Sequence, residues 1–297
     1  MENRNSMKGP VFLFLCAFFW GTAFSAQSTA MRYIGPNTFV FCRSVITCLV
    51  LALAFPALNR LSGEKKPEGL KRHLGIGALC GCCLAFASIL QQVGIQYTTA
   101  AKSGFITALY ILLVPIFGIF MKKRPPRTLW IGVCVSLAGL YFLSMNGGDL
   151  TLNIGDAFTF ACALVFALHI ICVDSFGGAL NSVLLSIIQF GTCALISGIF
   201  TLLTEHPTMS GILGCWTSIA FAAVFSGAIG YTFQIIGQKH TPPAAASLIM
   251  CLESVFAAIG GWIILHEALS AREIFGCALM LTATVLALLP SKQKERG

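Results

Sequence analysis

Glu253 is the only Asp, Glu, Lys or Arg in the apolar run from Thr241 to Leu265. If that run is a helix, Glu253 lies about 16 Å from Pro242 at 1.5 Å per residue, near the middle of a layer roughly 30 Å thick. A charge at that depth costs about 2.5–3.5 kcal/mol, so such a residue usually faces a cavity or a partner. Its carboxyl could bind a substrate amine or carry a proton. The plainer alternative is a neutral, hydrogen-bonded structural carboxyl. Arg43 stands in another apolar run. It could bind a substrate carboxylate, pair with a carboxylate, or snorkel to the interface. Gln91 and Gln234 could line a pathway, or tie helices together at about 0.6 kcal/mol each. Trp20, Tyr110 and Tyr231 could form aromatic walls. The candidate substrate-binding residues are therefore Trp20, Arg43, Gln91, Tyr110, Tyr231, Gln234 and Glu253, with Glu253 also the proton-coupling residue.

Other polar residues read more plainly. His169 is taken as a hydrogen-bonded core histidine rather than a proton relay. Asp174 is read as solvated at a helix end, and Lys102 as snorkelling outward. His266 and Glu267 are read as helix-end contacts. Gly94, Gly237 and the Gly77-x-x-x-Gly81 motif are expected to let helices approach closely. The 13 cysteines lie in apolar runs, singly or as Cys80-x-Cys82-Cys83, where a thiol behaves as a small hydrophobe. No metal and no cofactor is expected. Walker A, Gly-x-Ser-x-Gly, His-Glu-x-x-His and dinucleotide motifs do not occur in the sequence.

The elements that position these residues are set by composition. The chain is 57% hydrophobic and 10% charged, with a mean hydropathy of +0.84. Soluble domains carry roughly 25% charged residues, so a water-soluble protein is excluded. A net charge of +8 could suggest nucleic acid, but the charges sit at segment ends, so no nucleic-acid partner is expected. Spans are predicted at 10–30, 36–58, 74–97, 99–121, 127–145, 154–175, 182–204, 212–238, 242–265 and 272–290. Gly35-Pro36, Pro125-Pro126, Gly177-Gly178 and Pro242-Pro243 mark joints between them. Most Lys and Arg fall on one side of this arrangement: the N-terminus, loops 2–3, 4–5 and 8–9, and the tail. The other side carries only Arg32, Lys102 and Arg272. The positive-inside rule then places both termini in the cytoplasm, in a multi-pass plasma-membrane protein. Span 1 followed by Ala26-Gln27-Ser28 has some signal-peptide character. Its ungapped match to span 6 (Gly9 with Gly155, Phe12 with Phe158) argues for retaining it.

That match belongs to a wider duplication. Gln91-x-x-Gly94-x-x-x-Thr98 recurs as Gln234-x-x-Gly237-x-x-x-Thr241, and the register continues through Ala101/Ala244, Ile106/Ile249 and Leu109/Leu252. Two five-span halves, 1–146 and 147–297, are expected. Five crossings each would invert the second half relative to the first. Inverted repeats of this kind place a substrate site between the halves near the bilayer midplane. Glu253 pairs with Tyr110 in the register of Leu109/Leu252, and Arg43 pairs with Gln189 in the register of Gly9/Gly155.

The run Trp20-Gly21-Thr22-Ala23-Phe24, the segment Leu109 to Pro115, and the region of Leu252-Glu253-Ser254, Trp262 and Leu265 to Ser270 resemble the drug/metabolite transporter superfamily, in particular its EamA-like branch. The resemblance implies an all-α integral membrane protein of ten helices in two inverted five-helix repeats. It implies a secondary transporter, an exporter of small metabolites such as amino acids or of drugs, working by alternating access through a central cavity lined mainly by spans 1, 3, 4, 6, 8 and 9, a list that the intramembrane polar residues support. It implies a small-molecule substrate and a lipid bilayer as partners, in a monomer or homodimer, and no enzymatic activity. Ser254 departs from the proline usual in the family after this glutamate, which leaves the break of span 9 open. Arg124 departs from a glutamate often found in the first repeat. An intramembrane enzyme acting on a lipid-linked substrate is the alternative. It should show paired catalytic groups near one membrane face, whereas the ionisable residues here are scattered. A scaffold has no reason to keep Glu253 and Arg43 at membrane depth.

Overall fold

The computed structural model describes residues 7–61, 69–98, 100–123, 125–144, 153–265 and 269–288. Among them, ten helices are long and apolar enough to cross a membrane, and no strand occurs. The first three spans are α1 (Lys8–Ala30), α2 (Pro36–Leu61) and α3 (Leu70–Tyr97). Pro36 opens α2, where its missing N–H is not needed. Span 4 comes in two pieces, α4a (Ala100–Thr107) and α4b (Tyr110–Phe120). α5 (Arg127–Ser144), α6 (Ile154–Phe176) and α7 (Ser182–Thr204) follow. Asn153 and Asp156 form a reciprocal capping box at the start of α6, and the Asn181 side chain caps α7. α8 runs from Trp216 to His240, α9 splits into α9a (Pro243–Met250) and α9b (Glu253–Leu265), and α10 is Ala271–Leu288. A short helix, Met209–Gly214, precedes α8.

The break that Ser254 left open is present. At both breaks the chain tightens into a 3₁₀-type turn. Leu109 N donates to Ile106 O at 3.1 Å and Leu252 N to Ile249 O at 3.1 Å. No proline is required after Glu253. Ile111, the first-half counterpart of Ser254, is not a proline either, and α4 breaks at the same register.

α8 departs from the plain helix expected of it. Residues Ala222–Tyr231 form a π-helix, a wider coil that leaves carbonyls displaced from the regular ladder and occurs often at functional sites. The Thr47 hydroxyl of α2 donates to the Ala223 carbonyl at 2.9 Å, supplying a partner from a neighbouring helix. Two glycines let neighbours press against the widened coil. A Cβ on Gly227 would meet the Thr47 side chain, and one on Gly230 would meet the Trp20 ring.

Packing follows an exchange pattern. α2 lies against α7 and α5 against α10. α1 packs on α8 and α9, while α6 packs on α3 and α4. Glycines sit at the tightest crossings in reciprocal pairs. A Cβ added to Gly94 would meet the Gly155 carbonyl, and one on Gly155 the Gly94 carbonyl; Gly9 and Gly237 do the same. These two crossings are each other's counterparts in the repeat register. Gly77 and Gly81 likewise press against Ile188 and Thr192 of α7. Gly139 of α5 meets the Gly276 carbonyl, and Gly276 meets that of Gly139. Gly139→Val should therefore force backbones apart and destabilise the fold by about 1–3 kcal/mol. Gly75→Ala, where nothing lies within 4 Å, should not. Thermal denaturation of the two variants in detergent, followed by size-exclusion chromatography, checks the contrast.

Polar clamps tie α2 to α7 at both ends. At one end the Glu205 carboxylate accepts from Asn37 N (2.8 Å), Thr38 N (2.9 Å) and Thr38 Oγ1 (2.6 Å). It caps the start of α2 from the neighbouring helix. At the other end Asn181 Nδ2 donates to Asn59 Oδ1 of α2 at 2.6 Å, while Asn181 N donates to His73 Nε2 of α3 at 3.0 Å. Glu205→Ala should cost about 1–2 kcal/mol, the range of a lost cap at a helix N-terminus, read as a lowered midpoint in the same denaturation assay.

Two side chains expected to be solvated are instead paired. Lys123 Nζ meets Asp174 Oδ2 at 2.6 Å, with the Asp174 side chain buried. Lys102 Nζ meets Asp156 Oδ2 at 2.6 Å, and Thr98 Oγ1 donates to Asp156 Oδ1. Sequence spacing placed these groups at helix ends but could not show that α6 brings a carboxylate to each end of span 4. His266 and Glu267 lie outside the described residues.

Candidate functional site

A small cavity opens where the two broken helices meet. Glu253 is the first residue of α9b and Tyr110 the first of α4b. The Tyr110 hydroxyl donates to Glu253 Oε1 at 3.2 Å. Residues matched in the repeat register are thus joined directly, which puts the centre of the exchange pattern at this hydrogen bond. α1 approaches this break closely at Gly21. A Cβ there would overlap the Glu253 carbonyl and crowd Phe256 and Ala257.

Trp20, Phe24 and Gln27 line the cavity from α1, and Arg43 from α2. Gln91 enters from α3, Thr107 and Tyr110 from span 4, and Phe166 and Ile170 from α6. Ser226 and Tyr231 come from the π-helix of α8, and Glu253 from α9. The six expected helices all contribute, and α2 joins them through Arg43.

The Trp20 and Tyr231 rings stand 4.6 Å apart, and Trp20 Nε1 is buried with no hydrogen-bond partner. Gln91 Nε2 reaches Thr107 Oγ1 at 3.4 Å. Arg43 does not snorkel: only 4% of it is exposed. Its Nη2 donates to Ser88 Oγ at 3.1 Å, its guanidinium lies over the Phe39 ring, and its Nε is buried without a partner. No ion pair to Arg43 is found among the described residues.

Gln234 is not part of this wall. It is fully buried and absent from the cavity lining, with neither amide atom partnered. Gln234 therefore does not do what its repeat counterpart Gln91 does, which lines the cavity. His169 is a hydrogen-bonded core histidine, with Nε2 3.1 Å from Gln189 Oε1. Sequence reasoning missed Phe24, Gln27, Thr107, Phe166, Ile170 and Ser226. Of these only Gln27 carried a signal, an amide inside an apolar run. It accepts from Gln92 at 2.7 Å.

The free space in the cavity is about 30 Å³, room for about two water molecules. A larger guest requires the lining to move.

A ten-helix bundle with broken helices meeting at a buried, ionisable cavity is the architecture of a membrane carrier. The chain belongs to the EamA-like transporter family, whose pattern it matches over residues 7–145 and again over 153–289, one five-helix repeat each. It is 30% identical over 280 residues to an uncharacterized transporter of Archaeoglobus fulgidus, covering 93% of this chain and 84% of that one. It is 25% identical to the uncharacterized inner membrane transporter YedA of Escherichia coli, with 93% and 89% covered. A solved crystal structure shares the fold with a TM-score of 0.74 at 18% identity, covering 94% of this chain and 96% of that one.

Proposed function

We propose that this protein is a secondary exporter that moves a small molecule by alternating access, exchanging it for a proton at Glu253. The repeats 1–146 and 147–297 act as two inverted units, with both termini in the cytoplasm of a plasma-membrane protein. One observation carries the reading: a carboxyl at the break of α9 faces a small cavity, hydrogen-bonded to its repeat counterpart at the break of α4. Broken helices at a repeat interface are where carriers bind substrate and coupling ion. The lining draws on both repeats.

The cycle follows from the one carboxyl. With substrate absent, Glu253 holds a proton, and Tyr110 and the close approach of Gly21 keep the site shut. Substrate binding displaces that proton to the water on the same side, and rocking of the repeats exposes the site to the other side. Release there lets a proton return. An intramembrane enzyme is disfavoured because no second carboxyl lies in the cavity lining.

Labelling with dicyclohexylcarbodiimide, which reacts with protonated carboxyls in apolar surroundings, tests this reading. Mass mapping of the purified protein should find the adduct on Glu253, weakened by a transported substrate. A Glu253 that never reacts between pH 5 and 8, or reacts equally with substrate present, would sink the proton-exchange reading.

A further inference from the structure

A ladder of polar side chains runs between α4a and α6, from the end that the charge distribution places outside down to the cavity. At its top Lys102 Nζ meets Asp156 Oδ2 at 2.6 Å, with the two side chains only 12% and 5% exposed. Thr98 Oγ1 donates to Asp156 Oδ1 at 3.0 Å. Further in, the hydroxyls of Ser103 and Thr159 stand 3.4 Å apart, both fully buried. At its foot Thr107 Oγ1 accepts from Gln91 Nε2 at 3.4 Å, and both residues line the cavity that Glu253 faces. Ser103 and Thr107 are one turn apart on α4a, as are Asp156 and Thr159 on α6.

Packing does not require this ladder. In the repeat register Lys102, Ser103 and Thr107 correspond to Ala245, Ala246 and Met250 of α9a, and Asp156 and Thr159 to Pro10 and Leu13 of α1. α9a and α1 pack together with no polar side chain at these positions, and Ala246, Met250 and Leu13 are fully buried. The same joint is built apolar in one half of the membrane and polar in the other. Parting apolar walls in water costs free energy in proportion to their area. Parting walls of hydroxyls costs little, because each hydrogen bond given up to the neighbour is regained from water. The 3.4 Å contacts are also long for hydrogen bonds, so little is lost in separating them.

Resting on the proton exchange proposed for Glu253, we infer that the α4a–α6 seam is the outer passage by which water brings protons to that carboxyl, with the Lys102–Asp156 ion pair as its latch. When α4a leans away from α6 the ion pair parts, and water enters between Ser103 and Thr159 as far as Gln91 and Thr107. The returning proton arrives as hydronium, protonates Glu253 and leaves a water behind. The α9a–α1 joint stays dry throughout.

Ser103→Cys in the full-length chain tests the passage. A membrane-impermeant methanethiosulfonate ammonium reagent is added outside sealed, right-side-out vesicles, and mass mapping reads which thiols react. The introduced thiol should react, whereas the native Cys215, buried in an apolar cluster just before α8, should not. Adding Lys102→Gln should raise the rate at least about tenfold, since it leaves a buried carboxylate without its cation. Thr159→Cys gives the same reading from the facing helix. A water-soluble carbodiimide added outside should modify Glu253, and blocking the Ser103→Cys thiol beforehand should largely prevent it. Unreactive thiols in both folded cysteine variants, a rate unchanged by Lys102→Gln, or Glu253 untouched by the water-soluble reagent or modified equally with the thiol blocked would overturn the inference. Proton exchange would still stand if dicyclohexylcarbodiimide, which needs no aqueous route, labels Glu253. Failure of that reagent too would sink the exchange reading along with its route.

Discussion

Glu253→Gln should abolish transport driven by a pH gradient while the protein inserts, purifies and elutes as the native chain does. Glutamine keeps the length of the side chain and can still accept from the Tyr110 hydroxyl, so the break of α9 should hold. What it loses is the exchangeable proton. Gradient-driven accumulation in proteoliposomes should fall at least about a hundredfold, the scale of removing a proton-transfer group. Glu253→Asp, which restores the carboxyl on a shorter arm, should recover part of it. Undiminished transport in Glu253→Gln would mean that the carboxyl is structural and the protein a facilitator.

Gly21→Leu should be nearly as damaging, for a steric reason. α1 approaches α9 so closely that any Cβ at Gly21 meets the Glu253 carbonyl, Phe256 Cβ and Ala257 N. Two of these three atoms are backbone and cannot rotate away. The substitution should push α1 off the break, move Trp20 out of the cavity wall, and lower transport by at least about tenfold, as misplacement of a site by an ångström does. Gly104→Ala in α4a, with nothing within 4 Å of the added carbon, should transport normally. Parallel flux measurements on the two variants at matched protein levels decide it. Equal rates would show that the close approach of α1 is incidental.

The spans were legible because long apolar runs with charges at their ends leave few alternatives. The repeat register was legible from ungapped polar and glycine matches, and its pairing of Tyr110 with Glu253 is the central hydrogen bond of the site. Less local features were not legible. The break of α9 occurs without a proline, where α1 packs closely against it, so Ser254 gave no sign of it. The π-helix of α8 is contacted by Thr47 and Trp20 from other helices, which local sequence does not reveal, and Gln234 lies outside the cavity wall that its counterpart Gln91 joins. Arg43 looked able to reach the interface, yet its burial is set by Ser88 and Phe39 on neighbouring turns and helices. Asp174 and Lys102 looked solvated because their partners are 51 and 54 residues away in the chain. Phe24, Phe166 and Ile170 are indistinguishable in sequence from the apolar residues that face lipid.

Simultaneous recording of substrate and proton flux tests the central claim most directly. Proteoliposomes would be preloaded with L-phenylalanine, or with the permanent cation phenyltrimethylammonium, together with a trapped pH dye, and diluted into substrate-free buffer. Downhill exit of a transported compound should draw protons inward and acidify the interior, and Glu253→Gln should abolish that acidification. Exit through the native protein with no change in internal pH, or no protein-dependent exit of either compound, would contradict proton-coupled alternating access at this site.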